Sequence, residues 1–163
     1  MELTSSLPCQ TEKARLWAAL FNTEVWKESV PDAEKYELIG DNLYEMVIDA
    51  DLGPIKGKQA IKIQFSELQP PESCNFELQH SLVKTAKGNF VLKDLADIPL
   101  VADDGQMLHV PDGTQTMLSY TLTADTGNPL FNVVLEGFKD KIKQGFEELL
   151  AQLDTKARVA DAV

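Results

Sequence analysis

The chain is poor in the residues that metal and redox chemistry use. Its 163 residues include two cysteines and two histidines. No Cys-x-x-Cys or His-x-x-x-His spacing occurs, so no metal site and no cofactor are expected. Cys9 and Cys74 are read as small buried hydrophobes in a reducing compartment, against the alternative of a disulfide or a reactive thiol. Cations are scarce as well. Lys plus Arg number 15 and Asp plus Glu 26, so the net charge is 15 − 26 = −11. Without a basic cluster, nucleic acid and anionic membrane surfaces are not expected partners. No apolar run approaches the roughly 18 residues of a membrane-spanning helix; Leu16 to Phe21 is the longest. The opening Met1-Glu2-Leu3-Thr4 has neither the positive nor the apolar segment of a secretory signal, and a cytoplasmic location is expected. No repeat or Pro/Gly/Ser linker divides the chain. The expectation is one domain over 1–154 and a tail over 155–163 that is helical only in part.

What is present is mostly alternation. Leu3, Ser5 and Leu7 alternate with Glu2, Thr4 and Ser6 as a short strand that Pro8 ends. Thr11 to Phe21 reads as a helix with Leu16, Trp17, Leu20 and Phe21 on one stripe. Asn22-Thr23 breaks it, and Thr23 is expected to cap a further short turn with Val25 and Trp26. Tyr36 to Ile39 is a strand, and Gly40-Asp41-Asn42 a turn. Tyr44, Met46, Ile48, Ala50 and Leu52 then share one face. Gly53-Pro54 interrupts, and Ile61, Ile63 and Phe65 resume the inward pattern. Pro70-Pro71 is a hard break. Phe76, Leu78, His80 and Leu82 face inward on the next strand. Lys87-Gly88 is expected to turn the chain into a strand over Asn89 to Leu95. Leu118, Tyr120, Leu122 and Ala124 form the inner face of the last strand. Polar-out alternation of this kind belongs to an antiparallel sheet with one wet face.

Two segments differ. Ala96 to Asp112, with four aspartates and two prolines, reads as a long loop with a short hairpin around Asp104-Gly105. Such a loop serves as a lid, a partner surface or a neutral insertion. At the other extreme, Asn128 is a good N-cap with Pro129 in the first turn. Phe131, Leu135, Phe138, Ile142, Phe146, Leu149 and Leu153 follow at helical spacing, and Leu130, Val134 and Leu150 widen the stripe. One continuous helix from Asn128 to Leu153 would span roughly 39 Å. Gly137 and Gly145 lie inside it and point either to close backbone packing or to room for a ligand.

The assembled pattern is α+β. About six or seven antiparallel strands curl around a long C-terminal helix, with two short helices after the first strand. A curled sheet bends away from a straight helix and leaves a cavity between them. Its expected lining is Tyr44, Met46, Ile48, Ile61, Ile63, Phe76, Leu78, His80, Leu118, Tyr120, Leu122, Val134 and Phe138. His80 and Tyr120 are the candidate orienting polar groups, each with a packing role as the alternative. No nucleophile stands beside a base, and no catalytic residue is assigned.

This layout resembles the helix-grip superfamily of START, birch-pollen-allergen and polyketide-cyclase proteins. Within it the chain is similar to the carbon monoxide dehydrogenase G-subunit family. The resemblance is carried by Glu24-Val25-Trp26-Lys27 with Val30-Pro31, and by Glu37-Leu38-Ile39-Gly40-Asp41 with Tyr44. Gly53-Pro54-Ile55-Lys56-Gly57, Pro70-Pro71-Glu72-Ser73 and Ala86-Lys87-Gly88 complete it, in family order from Trp17 to Gly88. Asp32-Ala33 stands where members often have Gly and Cys, and Ser81 to Lys84 replaces a glycine-rich stretch. The resemblance implies binding of an apolar molecule such as a quinone, lipid or polyketide-like ring system. It equally implies an accessory role beside a molybdenum hydroxylase of the carbon monoxide dehydrogenase type, for which Asp97, Asp103, Asp104 and Asp112 could steer a basic partner. A cyclase-type enzyme is a third reading, with His80 as its single imidazole. Some members carry a C-terminal membrane anchor; with Val163 soon after the helix, a membrane-recruiting role is not expected here.

Overall fold

A computed structural model describes residues 1–30, 33–52, 55–81, 83–98, 105 and 110–160. The strands are β1 (Glu2–Cys9), β2 (Ala33–Gly40), β3 (Leu43–Leu52), β4 (Ile55–Gln69), β5 (Ser73–Gln79), β6 (Thr85–Asp94) and β7 (Thr116–Asp125). They form one antiparallel sheet in the order β1-β7-β6-β5-β4-β3-β2. The chain therefore climbs by hairpins from β2 to β7 and closes with β1 against β7, leaving β1 and β2 as edges. Helices α1 (Lys13–Leu20) and α2 (Thr23–Ser29) follow β1, and α3 (Pro129–Gly137) and α4 (Lys139–Ala160) follow β7. Both α1 and α2 pack on α4, and α2 also covers β2. This is the α+β helix-grip fold.

The sheet's inner face follows the alternation of the sequence. Tyr44 and Met46 on β3, Ile63 and Phe65 on β4, Phe76 on β5 and Leu118, Tyr120 and Leu122 on β7 are buried. Pro8 does not end β1; it sits exposed within it. An edge strand tolerates a residue without an N–H, because only one side of the strand needs its donors.

Four further expectations are corrected. The cap of α2 is Asn22, whose side chain accepts from the Glu24 and Val25 amides, so Thr23 is already helical. Lys87-Gly88 is no turn: β6 runs straight through it, with Gly88 opposite Phe76 and Leu122. The glycine is there for closeness. A Cβ at position 88 would collide with the Thr121 carbonyl oxygen and lie 2.8 Å from the Phe76 ring. The C-terminal helix is not continuous. It breaks at Phe138, where φ −103° and ψ 8° end α3 and α4 starts afresh at Lys139. Gly137, with its low helix propensity, stands at the break. Nor is Gly137 or Gly145 a close-packing site, since a Cβ at either would meet nothing within 4 Å. Of the residues after 154, those up to Ala160 continue α4, and Ala157 among them is buried. Of the Ala96–Asp112 loop, Leu95–Asp97 forms a 3-10 turn; the expected hairpin at Asp104-Gly105, with Asp103 and His109, lies outside the described residues except for Gly105. Leu82, Gly53, Pro54 and Pro31 also lie outside them.

The two ends of the chain are locked together beneath the sheet. Asp154 of α4, 7% exposed, accepts from the Gln10 amide at 3.1 Å and the Thr11 amide at 3.0 Å. The Thr11 hydroxyl donates to the same carboxylate at 2.6 Å. Thr116 donates to the Thr11 carbonyl at 2.7 Å, which ties β7 into the same knot. Arg158 reaches the Gln10 side chain from the next turn of α4.

Candidate functional site

Between the sheet and α4 lies a cavity of about 120 Å³. Met46 of β3, Ile61, Ile63 and Phe65 of β4, Phe76 and Leu78 of β5 and Phe90 of β6 supply the sheet side. Trp26 of α2 and Phe146 and Leu149 of α4 close it. Every one of these side chains is apolar or aromatic. The Trp26 N–H is turned away, donating to the Leu20 carbonyl at 2.7 Å. Aromatic packing fixes the floor: Phe90 stacks on Phe76 at 4.8 Å and faces Phe146 at 6.1 Å. Edge-to-face contact of Phe146 with Tyr120 at 4.7 Å completes it.

Five of the expected lining residues, Met46, Ile61, Ile63, Phe76 and Leu78, are brought together in this wall. The others are placed elsewhere. Leu118 and Leu122 are buried in the core, and Ile48 packs partly buried against it. Phe138 marks the helix break, half-buried. Val134 is 39% exposed, beside Leu130 at 79% and Val133 at 71%. The break resets the helical phase, so a stripe extrapolated along one rod puts α3 in the wrong rotation. Trp26, Phe65, Phe90, Phe146 and Leu149 lie outside the expected lining. For Phe65 and Phe146 a signal existed in the alternation and the helical stripe. For Trp26 and Phe90 it did not, because contact across the fold brings them in.

The polar candidates resolve differently. His80 sits past the end of β5, bridged to Val83, with its Nε2 2.6 Å from Gln59 Oε1. Partial burial holds its pKa below the ordinary imidazole value of 6.5. Tyr120 is 1% exposed, and its hydroxyl donates to Glu147 Oε1 at 3.3 Å. Burial, then the Glu147 charge, pushes its pKa up to about 12. Glu147 comes from α4, where strand alternation gives no sign of it. Tyr44 donates to the Phe21 carbonyl at 3.3 Å. Cys9 and Cys74 are free, buried and pushed by burial to about 12, so neither is a thiolate at neutral pH.

A tyrosine outside the expected lining stands out. Tyr36 of β2 is 4% exposed, and its hydroxyl is buried with no hydrogen-bond partner among the described residues. An unmade buried hydrogen bond costs about 1–3 kcal/mol. Burial, with the neighbouring Tyr44, raises its pKa far above the ordinary phenol value. Its ring stacks on Trp26, at 5.3 Å and 3°, and on Tyr44, at 5.4 Å and 29°. Tyr36 and Tyr44 also help wall an outer cleft of about 630 Å³ between α2 and the β2–β3 edge. Among the described residues no group of three or more His, Cys, Asp or Glu side chains could hold a metal ion. No described helix is long and apolar enough to cross a membrane.

Residues 6–91, more than half the chain, match the family model of the carbon monoxide dehydrogenase G subunit (CoxG). The chain belongs to this family. The matched stretch runs from β1 into β6 and so includes Trp26, Tyr36 and the β3–β5 wall of the cavity, but not α3 or α4. No curated protein matches the sequence significantly. Solved structures with the same fold include a conserved protein from Geobacillus kaustophilus, 15% identical with a TM-score of 0.72 over 98% of this chain and 97% of that one. The Zhui aromatase/cyclase from Streptomyces sp. R1128 is 12% identical, with a TM-score of 0.63 over 97% and 93%. A START superfamily protein from Mycobacterium smegmatis is 8% identical, with a TM-score of 0.60 over 93% and 98%.

Proposed function

We propose that this CoxG-family protein binds or carries a hydrophobic small molecule in the cavity between sheet and C-terminal helix. The observation that carries the reading is the wholly apolar lining, in which no lining side chain brings a charge or a free donor to the interior. At about 120 Å³ the cavity takes a single ring or the end of a chain, since cavities near 150 Å³ hold benzene. A quinone, lipid or polyketide-like ligand needs more room, and the break at Phe138 is where α3 can swing from α4 to give it. A hydrophobic ligand suits such a wall without any catalytic group. Native mass spectrometry of the purified protein, followed by organic extraction, tests the reading. A near-stoichiometric apolar molecule supports it and names the class. A clean apo mass, with no uptake from quinones and lipids, sinks it.

The family's name favours a second reading, an accessory or maturation factor that touches a molybdenum hydroxylase of the carbon monoxide dehydrogenase type. Asp97 and Asp112, with Asp103 and Asp104 from the same loop, are its candidate contact. Changing the four to asparagine is expected to weaken capture of such an enzyme by this protein while the fold is kept; undiminished capture removes the loop from the reading. A cytoplasmic site of action is part of both proposals.

A further inference from the structure

We infer that the free edge of β2 is a docking site for a basic, extended segment of a partner protein, which pairs with it as an added strand. The site is separate from the internal cavity and does not depend on it. β2 ends the sheet and pairs only with β3. Beyond that pairing, its one main-chain bond among the described residues runs from the Ala33 amide to the Val30 carbonyl, at 3.3 Å. Alternate N–H and C=O groups along its outer side are therefore left for a partner. The opposite edge is guarded. β1 carries Pro8, which offers no donor, while its Leu3 is buried and its Leu7 half-buried. On β2 the consecutive Leu38 and Ile39 are 57% and 44% exposed. An exposed apolar pair on an unpaired edge invites strand addition.

The surroundings of this edge suit such a strand. Lys35 to Leu38 run in unbroken register with Val47 to Tyr44, and the register shifts on either side of them. That leaves roughly 13 Å of regular edge, at about 3.3 Å per residue. The cleft of about 630 Å³ lies alongside, with Glu34 to Leu38 on one wall and Thr23, Glu24 and Lys27 of α2 on the other. A groove between an edge strand and a helix holds an extended peptide by main-chain hydrogen bonds, and the walls read its side chains. Charge selects the peptide. The cleft carries Glu24, Glu34 and Glu37 against Lys27 and Lys35. Lys35 is already shared between Glu45 at 2.9 Å and Glu37 at 3.4 Å, and Lys58 reaches Glu34 at 3.4 Å. With Glu45 and Lys58 included, four carboxylates stand against three ammonium groups. The whole chain is at −11. Both the local and the global sign favour a cationic segment. They oppose a second copy, which would bring the same acidic edge. Leu38 and Ile39 call for apolar residues between the basic ones.

The probe is the peptide Arg-Val-Arg-Val-Arg, acetylated and amidated at its ends. Its controls are the same peptide with glutamate for arginine and a copy N-methylated at every amide. Binding is followed by amide NMR. The arginine peptide is expected to move the signals of Thr23, Lys27, Lys35, Glu37 and Leu38, and to slow amide exchange along β2. Neither control should do so. Glu24→Lys combined with Glu37→Lys should weaken the arginine peptide roughly 3- to 10-fold, and Leu38→Ser roughly 2- to 5-fold. Absence of binding overturns the inference. So does equal binding of the glutamate peptide or of the N-methylated copy, since charge or main-chain pairing then plays no part. Shifts at β1 in place of β2 overturn it too. Protection of β2 that rises with protein concentration, without peptide, makes a second copy the occupant and also overturns it. None of these outcomes touches the internal cavity, which is read at Ile61, Leu78 and Leu149.

Discussion

The two ends of this sheet treat buried polarity in opposite ways. At the β1 end, Asp154 and Thr11 are buried and accounted for, with three donors on one carboxylate. At the β2 end, Tyr36 is equally buried and its hydroxyl meets nothing among the described residues. A satisfied network rigidifies and specifies; an unsatisfied group costs stability. The contrast separates a structural knot from a costly burial by hydrogen-bond inventory rather than by shape.

Breaking the knot should have the largest effect. Asp154→Ala strands the Gln10 and Thr11 amides, while the Thr11 hydroxyl keeps the Asp154 backbone carbonyl at 2.9 Å, and is expected to cost about 3 kcal/mol in urea unfolding. A loss under about 1 kcal/mol would show that water serves these donors as well, and the contrast between the two ends would fall. The two tyrosines sharpen it further. Tyr120→Phe removes a hydroxyl that is bonded to Glu147 and should destabilise by about 1 kcal/mol. Tyr36→Phe, the same chemical change, is expected to move the melting temperature the other way. Equal signs in thermal melts would erase the distinction.

The smallest effect is in pH. His80 has its folded pKa lowered by burial, so between that value and 6.5 the unfolded chain binds more protons. Its contribution to stability is therefore complete above about pH 6.5 and is lost as pH falls through the depressed folded value. His80→Asn should flatten the stability profile in that window. Parallel profiles for the two proteins would mean that Gln59 holds the charged and neutral rings equally well.

Much of the fold was legible because it is written in short periods. Two-residue alternation on β3, β4, β5 and β7 put Met46, Ile63, Phe76 and Leu118 on the inner face, and Asn128 with Pro129 marked the start of α3. The helix break was less legible. A 3.6-residue stripe continues in the sequence through Phe138, and Gly137 is a weak signal beside it. Gly88 misled because glycine marks turns and close approaches alike, and the deciding neighbour, Thr121, is 33 positions away. The cavity was half legible for the same reason: strand periodicity names the sheet wall, while Trp26, Phe146 and Leu149 reach it from helices whose placement is tertiary. Tyr36 was the least legible of all. In sequence it is one more apolar position on a strand, and what sets it apart, the lack of a partner, is a property of everything around it.

Gly88 also bears on how this chain can evolve. Because a β-carbon there would strike the backbone of Thr121 itself, no choice of rotamer relieves the clash. Its neighbours on β6, Lys87 and Asn89, point to the wetter face of the sheet and should accept many replacements. A saturation library across β6 would show a tolerant stretch interrupted by one invariant codon, and chains that drift at that codon would be lost through failed pairing of β6 with β7 before any ligand or partner could select among them.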